Sequence, residues 1–292
     1  MLLEFETVDY TYPHSSQPAL QNLSLRIPAG KRCALLGQNG CGKTTLFLLA
    51  NGLYQPQRGR IYWQGVPLRY DRPSLLKLRQ KVGLVFQDPE QQLVASTVEE
   101  DISYGLCNLG LPEPEVRRRV AEAIVTFDLT ELVERPVHHL SLGQKKRVSL
   151  ADVMVLQPEL LLLDEPTAYL DPLHTRQLMA TLRQIQAMGT TIVMATHDLN
   201  LAYRWADWIF ILDRGQLVLE GTPQTVFTQR ETLERLQLGI PLILDILDQV
   251  AEVLHDSDEP MQGLSDSLRN CILEKLTDSY SSQRENQDKL TG

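Results

Sequence analysis

The sequence predicts an α/β fold built around a parallel β-sheet. Four short and nearly continuous apolar runs lie along the chain of 292 residues, and stretches with helical spacing separate them. The runs are Arg32–Gly37, Val82–Gln87, Leu160–Leu163 and Thr191–Thr196. Such runs are typical of parallel strands that helices cover on both faces. The apolar content of 43% is ordinary for a globular protein.

The segments between and after these strands complete the predicted core. From about residue 95 to 158 the apolar residues recur at helical spacing, most clearly in Pro112–Phe127, which opens with prolines and acids. This pattern predicts a helical insertion between two strands of the sheet. After the fourth apolar run, two further strand signals flank Arg214 and Gly215 and predict a hairpin.

The C-terminal part differs in character from the rest. Leu233–Leu254 is amphipathic and rich in leucine, with a break at Gly239–Pro241. From Tyr280 onward the chain is polar and has no period, which predicts a disordered tail. The predicted division is a domain at 1–225 with a helical subdomain at about 90–158, a helical extension at 226–279 and a tail at 280–292.

Composition restricts the setting in which the protein works. No apolar run approaches the roughly 20 residues that a membrane-spanning helix needs. The segment Met1–Asp9 holds three acids and no basic start, so it does not resemble a secretion signal. We therefore expect a cytosolic protein that contacts a membrane only through a partner.

Charge and cysteine usage exclude two further classes. The net charge is −9, and residues 226–292 carry 13 acids against 6 bases, which disfavours a nucleic-acid surface. The short basic runs Arg117–Arg119 and Lys145–Arg147 are each interpreted as a solvated helix face. The four cysteines show no C-x-x-C pair, which predicts reduced thiols rather than a disulfide framework or a zinc site.

The segment GQNGCGKTT at Gly37–Thr45 fits the phosphate-loop pattern G-x-x-x-x-G-K-[ST] in full. A strand precedes it and an apolar helical run follows it, which is the context that this motif requires. Backbone N–H groups of such a loop surround phosphates, the lysine reaches the β- and γ-phosphates, and the hydroxyl that follows binds Mg²⁺. The predicted ATP-binding residues here are Gly37, Gln38, Asn39, Gly40, Cys41, Gly42, Lys43, Thr44 and Thr45, with Mg²⁺ as cofactor on Thr44.

Polar residues follow three of the other predicted strands, at the edge where ligands of parallel sheets bind. Asp164 and Glu165 end the run ELLLLDEP; Asp164 suits a Mg²⁺ site and Glu165 suits a base that polarises an attacking water. His197, in ATHD, is predicted to contact the γ-phosphate and orient the water. Gln87 offers an amide to the metal or the water. The alternative for each is an ordinary solvated or structural strand end.

Two further segments are candidates for binding a nucleotide. In HLSLGQKKRV, His139–Val148, Ser141 and Gly143 front a helix N-terminus, which is a favourable place for an anion. A chain with one phosphate loop thus carries a second candidate anion site. Tyr12, in DYTYP, either stacks on adenine or is an ordinary strand aromatic.

Taken in order, these motifs resemble those of an ATP-binding-cassette (ABC) ATPase over residues 1 to about 225. The resemblance implies an α/β cassette core, an antiparallel N-terminal sheet and an inserted helical subdomain. It also implies that two chains close head-to-tail over two Mg·ATP, so that the second anion site serves the nucleotide of the other subunit. The residues that would act in trans are Ser141, Gly143, Gln144 and Asp171, the last in AYLD.

A longer stretch of sequence indicates a particular class of ABC ATPase. VFQDPEQQLVASTVEEDISYGLCNLGLP at Val85–Pro112 is similar to the ATPases of energy-coupling-factor importers, especially their cobalt/nickel branch. This implies an ATPase at the cytoplasmic face of the membrane, bound to a coupling subunit and a substrate-capturing subunit. The resemblance favours a homodimer over pairing with a sister cassette. By this resemblance, the acids Asp88 and Glu90 would suit arginines of the coupling subunit.

Other members of the wider family are set aside on sequence grounds. DNA-repair ATPases need long coiled coils, for which Thr45–His139 has no room, and translation factors carry two cassettes in one chain. The ATPase of another importer or exporter class stays open, because only Val85–Pro112 argues against it. Three departures from the family pattern stand out: Leu142 and Tyr169 replace glycines, and Cys41 replaces a serine.

Cys41 also supports a hypothesis about reactivity. It lies at a helix N-terminus beside Lys43, and both features lower the pKa of a thiol. The alternative is that Cys41 packs inward as a small apolar side chain.

Overall fold

The computed structural model describes residues 1–255, and the side chains up to residue 249. Contacts divide the chain into a unit at Met1–Leu238 and a second unit that begins at Gly239. The predicted tail at 280–292 lies outside the described residues, as does the predicted extension beyond residue 255. Within the described part, no helix has both the length and the apolar character needed to cross a membrane.

The first unit contains an antiparallel sheet of four strands in the order β2-β1-β4-β5. Leu3 of β1 lies opposite Ile27 on one side and Trp63 on the other, so the hydrophobic faces of three strands coincide. All three side chains are buried in the main hydrophobic core. The strands are β1 (Leu3–Tyr10), β2 (Leu20–Ile27), β4 (Arg58–Trp63) and β5 (Val66–Pro67).

The second sheet has six strands in the order β10-β9-β3-β8-β7-β6, and five of them are parallel. Only β10 runs antiparallel, in a hairpin with β9 that turns at Arg214 and Gly215 as predicted. Every residue of β6, β7 and β8 is buried, which explains why these strands read as continuous apolar runs. The strands are β3 (Arg32–Leu36), β6 (Val82–Val85), β7 (Leu160–Asp164), β8 (Thr191–Ala195), β9 (Trp208–Asp213) and β10 (Gln216–Gly221).

Helices follow or precede the parallel strands and confirm the α/β fold. The carboxyl ends of β3, β6, β7 and β8 share one edge of the sheet, so the segments after them are brought together. The helices outside the insertion are α1 (Lys43–Ala50), α2 (Arg72–Lys81), α6 (Pro172–Ala187), α7 (Leu199–Trp205), α8 (Pro223–Phe227), α9 (Arg230–Arg235) and, in the second unit, α10 (Leu242–His255).

The predicted helical insertion lies between β6 and β7. It contains α3 (Val98–Asn108), α4 (Glu113–Thr126) and α5 (Leu142–Met154). In α4 the basic run Arg117–Arg119 forms ion pairs with acids of the same helix, in keeping with a solvated face. The same prediction is wrong for Lys146 of α5, which is only 6% exposed because α5 turns this side chain inward.

Candidate functional site

The phosphate loop joins β3 to α1 and depends on its glycines. Gly42 has φ = 111°, and a Cβ there would lie 2.7 Å from the carbonyl oxygen of Ala19 and 2.7 Å from Cδ2 of Leu20. Gly37 has the same constraint, since a Cβ would lie 2.3 Å from the carbonyl oxygen of Leu212. Any side chain at these positions would displace backbone, so the loop curvature requires glycine.

Lys43 lies inside the curve of this loop. Its side chain is buried, and Nζ donates to the carbonyl oxygens of Gly37 at 2.8 Å and Gln38 at 3.1 Å. The loop therefore fixes an ammonium group on its concave side. A concentrated positive charge beside backbone N–H groups is a site for the phosphates of a nucleotide.

Thr44 and Asp164 bring two oxygen ligands together from α1 and β7. Thr44 Oγ1 donates to Asp164 Oδ2 at 2.6 Å. Burial raises the pKa of Asp164, and the nearby Glu165 acts in the same direction, while the Thr44 hydrogen bond and Lys43 oppose it. A buried carboxylate beside a hydroxyl suits Mg²⁺, which takes few protein ligands and completes its shell with water and phosphate oxygens. The described residues contain no group of three or more His, Cys, Asp or Glu that could hold a metal.

Glu165 and His197 meet at the ends of the neighbouring strands β7 and β8. His197 Nδ1 lies 2.9 Å from Glu165 Oε2, and the Glu165 N–H donates to the carbonyl oxygen of Ala195 at 3.0 Å. The Glu165 side chain is 9% exposed and that of His197 is 73% exposed. Glu165 has φ = 45°, a conformation that costs about 1–3 kcal/mol and persists only where neighbours enforce it. The carboxylate is thus held at a defined position at the sheet edge.

Gln87 and Tyr12 are two further members of the predicted site, and they lie after β6 and β1. Gln87 follows β6 with an exposed side chain, and no hydrogen bond within the described residues joins it to Thr44 or Asp164. Tyr12 follows β1, and its hydroxyl lies 3.0 Å from Thr45 Oγ1, next to the phosphate loop. Its ring packs edge-on to Tyr10 and Tyr54.

The second predicted anion site has an ordered helix start. Ser141 caps α5: its Oγ accepts from the Gln144 N–H at 3.3 Å, and Gln144 Oε1 accepts from the Ser141 N–H at 2.8 Å. Asp171 caps α6 by accepting from the His174 N–H at 2.8 Å. A Cβ at Gly143 would lie 3.2 Å from the His174 ring, so the two helix starts are in contact. Within the described residues, none of these groups hydrogen-bonds to Gly37–Thr45.

The reactive-thiol hypothesis for Cys41 is wrong because the thiol is buried. Cys41 is 4% exposed, and a Cβ at Gly37 would lie 2.6 Å from its Sγ. Burial raises the pKa of the thiol, and the nearby Lys43, which lowers it, does not reverse the direction. Cys41 therefore packs inward as a small apolar side chain, whereas Cys107 is exposed.

Two acids of the helical insertion, Asp101 and the half-buried Asp152, were not predicted to matter. Asp101 of α3 is 4% exposed and accepts from the N–H groups of Val94 and Ala95 at 2.8 and 2.6 Å. Asp152 of α5 faces it with Oδ1 buried. Burial raises the pKa of Asp152 well above its usual range, and the charge of Asp101 and a hydrogen bond with it add to the rise, while Gln92 opposes it. The sequence signal for Asp152 was its position within the largely apolar segment SLADVMVL.

Replacing Asp152 with Asn is expected to change how stability depends on pH. The folded protein keeps a proton on Asp152 that the unfolded chain releases near 3.8. Its contribution is therefore present at acidic pH and is lost as pH rises towards the raised pKa. At pH 8 the variant should be more stable by about 1–3 kcal/mol, because asparagine removes a carboxyl group whose charged form is disfavoured by burial and by Asp101. Urea unfolding at several pH values measures this.

The control for this prediction is Asp128→Asn, since Asp128 is exposed and pairs with Arg147 at the surface. Its unfolding free energy should follow the wild-type pH dependence. If Asp152→Asn also follows the wild type from acidic to alkaline pH, the assignment of a protonated Asp152 is wrong.

A phosphate loop, a hydroxyl–carboxylate pair and a second, positioned carboxylate at one sheet edge define a P-loop nucleotide-hydrolysing protein. The family model for ABC transporters matches residues 20–168. A putative ABC transporter ATP-binding protein of Nostoc is 65% identical over 259 residues, which cover 88% of this chain and 94% of that protein. The energy-coupling factor transporter ATP-binding protein EcfA of Methanocaldococcus jannaschii is 39% identical over 257 residues, which cover 88% of this chain and 90% of that protein.

Solved structures agree with these relatives. The structure of cbiO1 from Clostridium perfringens, part of the ABC transporter complex cbiONQ, has a TM-score of 0.72 and 40% identity and covers 85% of this chain and 98% of that chain. The cassette MJ0796, solved as a dimer bound to ADP and Pi, has a TM-score of 0.69 and 28% identity, with 76% and 99% coverage. The chain belongs to the ABC transporter family, as an ATP-hydrolysing subunit.

Proposed function

We propose that this ATPase powers an importer of the energy-coupling-factor type, for cobalt or nickel ions or another micronutrient. The similarity to EcfA and to cbiO1 of the cbiONQ complex supports this class, as does the segment Val85–Pro112. The protein would lie at the cytoplasmic face of the membrane, held by a coupling subunit and a substrate-capturing subunit.

The observation that carries the hydrolytic role is the cluster at the edge of the parallel sheet. Lys43 lies in the phosphate loop, the Thr44–Asp164 pair lies 2.6 Å apart, and the Glu165–His197 pair lies 2.9 Å apart. Thr44 and Asp164, with Gln87, would hold Mg²⁺, which neutralises phosphate charge when it is bound. Tyr12 would stack on the adenine.

In the proposed reaction Glu165 accepts a proton from the water that attacks the γ-phosphate. His197 orients the carboxylate through Oε2 and, with most of its ring exposed, is free to contact the phosphate. Lys43 and the backbone N–H groups of the loop hold the phosphates in line with that water. Glu165 is suited to this step because its backbone and side chain are both held by hydrogen bonds.

We also propose that the active form is a homodimer with two composite sites. Ser141, Gly143, Gln144 and Asp171 of one chain would complete the site whose Lys43 belongs to the other. Their common surface, in contact through Gly143 and His174, supports a joint role. A helix N-terminus is a favourable place for the negative charge of the γ-phosphate.

The acids expected to receive the coupling subunit already have partners in the chain. Glu90 pairs with Lys145 at 2.6 Å, although its side chain stays 69% exposed. Asp88 caps the turn at Pro89–Gln91 by accepting from the Glu90 N–H at 3.0 Å. We propose that arginines of a membrane subunit bind these acids in competition with Lys145.

The experiment that tests the importer class joins purification to transport. The chain, affinity-tagged in its native host and extracted in mild detergent, should recover a coupling subunit and a smaller substrate-binding membrane protein. Cells in which Glu165 is replaced by Gln should accumulate less cobalt or nickel, measured as metal content against wild type. Unchanged metal with an intact complex would point to another micronutrient, and recovery of export components would reject the importer.

A further inference from the structure

Lys146 is a buried cation that has no part in the proposed steps of ATP hydrolysis or in the proposed contact between chains. It lies in α5, is 6% exposed, and its Nζ donates to the carbonyl oxygens of Pro166 at 2.9 Å and Glu165 at 3.3 Å. Burial lowers the pKa of Lys146 to about 8, while the charges of Glu165 and Asp88 act against that shift. A buried ammonium is costly unless it is hydrogen-bonded, so these two carbonyl groups are what keep it there.

The contact reaches the turn that sets the direction of the Glu165 side chain. Four hydrogen bonds hold this residue: its N–H donates to Ala195, its Oε2 pairs with His197, and its carbonyl oxygen accepts from the Ala168 N–H at 3.1 Å and from Lys146 Nζ at 3.3 Å. The bonds with Ala195 and His197 come from the end of β8, and the Ala168 bond closes the turn itself, whereas the Lys146 bond comes from the helical insertion. Since φ of Glu165 is 45°, the turn needs support from its neighbours, and Lys146 adds that support from α5 by bonding two successive carbonyl groups.

We propose that Lys146 is a positioning residue for Glu165 of its own chain. The inference rests on the proposed role of Glu165 and on the proposed dimer. Lys146 and Ser141 belong to the same helix, about one and a half turns apart. In the dimer, the helix that presents Ser141 to one nucleotide therefore also holds the base that acts on the other.

Replacing Lys146 with Met should lower kcat by about 10²-fold, as misplacement of a reacting group by about 1 Å does. The KM for ATP should stay within about threefold, because no phosphate contact is lost. Lys146→Gln keeps an N–H donor for one carbonyl group and should retain more activity than Lys146→Met. The matched control is Lys145→Met, which removes the neighbouring ammonium and its surface ion pair with Glu90 and should leave kcat unchanged in the isolated ATPase.

Heterodimers isolated with two different affinity tags show in which chain of the dimer the Lys146 substitution lowers ATPase activity. A Ser141→Arg chain paired with a Lys43→Ala chain has one intact composite site, built from Lys43 and Glu165 of the first chain and Ser141 of the second. This reference pair should recover ATPase activity that neither homodimer has. If isolated reference heterodimers are inactive, the proposed trans arrangement is wrong. The kcat and KM of the Lys146→Met homodimer still test the role of Lys146 in that case.

Lys146→Met is then added to one chain at a time. Placed in the Ser141→Arg chain, next to the working Glu165, it should abolish most of the recovered activity. Placed in the Lys43→Ala chain, it should leave that activity intact. Equal loss from both placements, or loss from the second alone, would assign Lys146 to the support of α5 and overturn the proposal. So would a fall in kcat in the Met and Gln variants alike that is matched by a lower melting temperature.

Discussion

Glu165→Gln is expected to reduce ATP turnover by about 10²–10⁴-fold, the usual loss when a positioned base is removed. The glutamine amide has the shape of the carboxylate, so it can keep the hydrogen bond to His197 and the turn at β7. It cannot accept the proton of the attacking water. ATP binding should therefore be unaffected, because the phosphate loop and the Thr44–Asp164 pair are unchanged.

The measurement combines phosphate release with light scattering after size-exclusion chromatography. With ATP present the variant should elute as a stable dimer, since bound nucleotide is not consumed. Glu159→Gln is the matched control: Glu159 precedes β7, is part exposed and pairs with Lys81, and its change should leave turnover intact. Near-normal hydrolysis by Glu165→Gln would transfer the role of base to another group.

The sheet was predictable because its strands are buried on both faces. A strand such as β7, with all five residues buried, appears in sequence as an uninterrupted apolar run whatever its neighbours are. The phosphate loop was predictable for a different reason: its function depends on residues that are adjacent in sequence, and glycine at positions 37 and 42 is required by the local backbone.

Contacts between distant segments were harder to predict. The pairing of Glu165 with His197 follows from β7 and β8 being neighbours, which the order of strands along the chain does not state. Asp101 and Asp152 meet only because α3 packs on α5. Asp101 taken alone resembles a helix residue of ordinary exposure, and the apolar neighbours of Asp152 do not identify Asp101 as its partner.

Lys146 and Cys41 show how burial overrides local chemistry. The run of three basic residues at 145–147 gives no sign that one of them points inward, because the rotation of α5 decides this. For Cys41 the nearby lysine and helix N-terminus were recognised correctly, but the packing of Sγ against Gly37 removes the thiol from water. Desolvation then outweighs the nearby charge.

Lys43→Met is expected to weaken ATP binding by about 10- to 10²-fold. A hydrogen bond to a charged group contributes about 1.5–3 kcal/mol, and each 1.4 kcal/mol changes the dissociation constant tenfold. The predicted reach of Lys43 covers the β- and γ-phosphates, so the loss should be greatest for ATP, smaller for ADP and negligible for AMP. Methionine keeps most of the buried volume that alanine would leave empty.

Calorimetric titration with the three nucleotides measures this order directly. Lys31→Met is the matched control, because Lys31 is exposed and immediately precedes β3, the strand that leads into the phosphate loop, without entering it. Thermal unfolding of the Lys43 variant must accompany the titration, since the carbonyl oxygens of Gly37 and Gln38 lose a donor. Equal loss of affinity for all three nucleotides would show that Lys43 supports the loop as a whole rather than binding the terminal phosphates, because AMP lacks the β- and γ-phosphates.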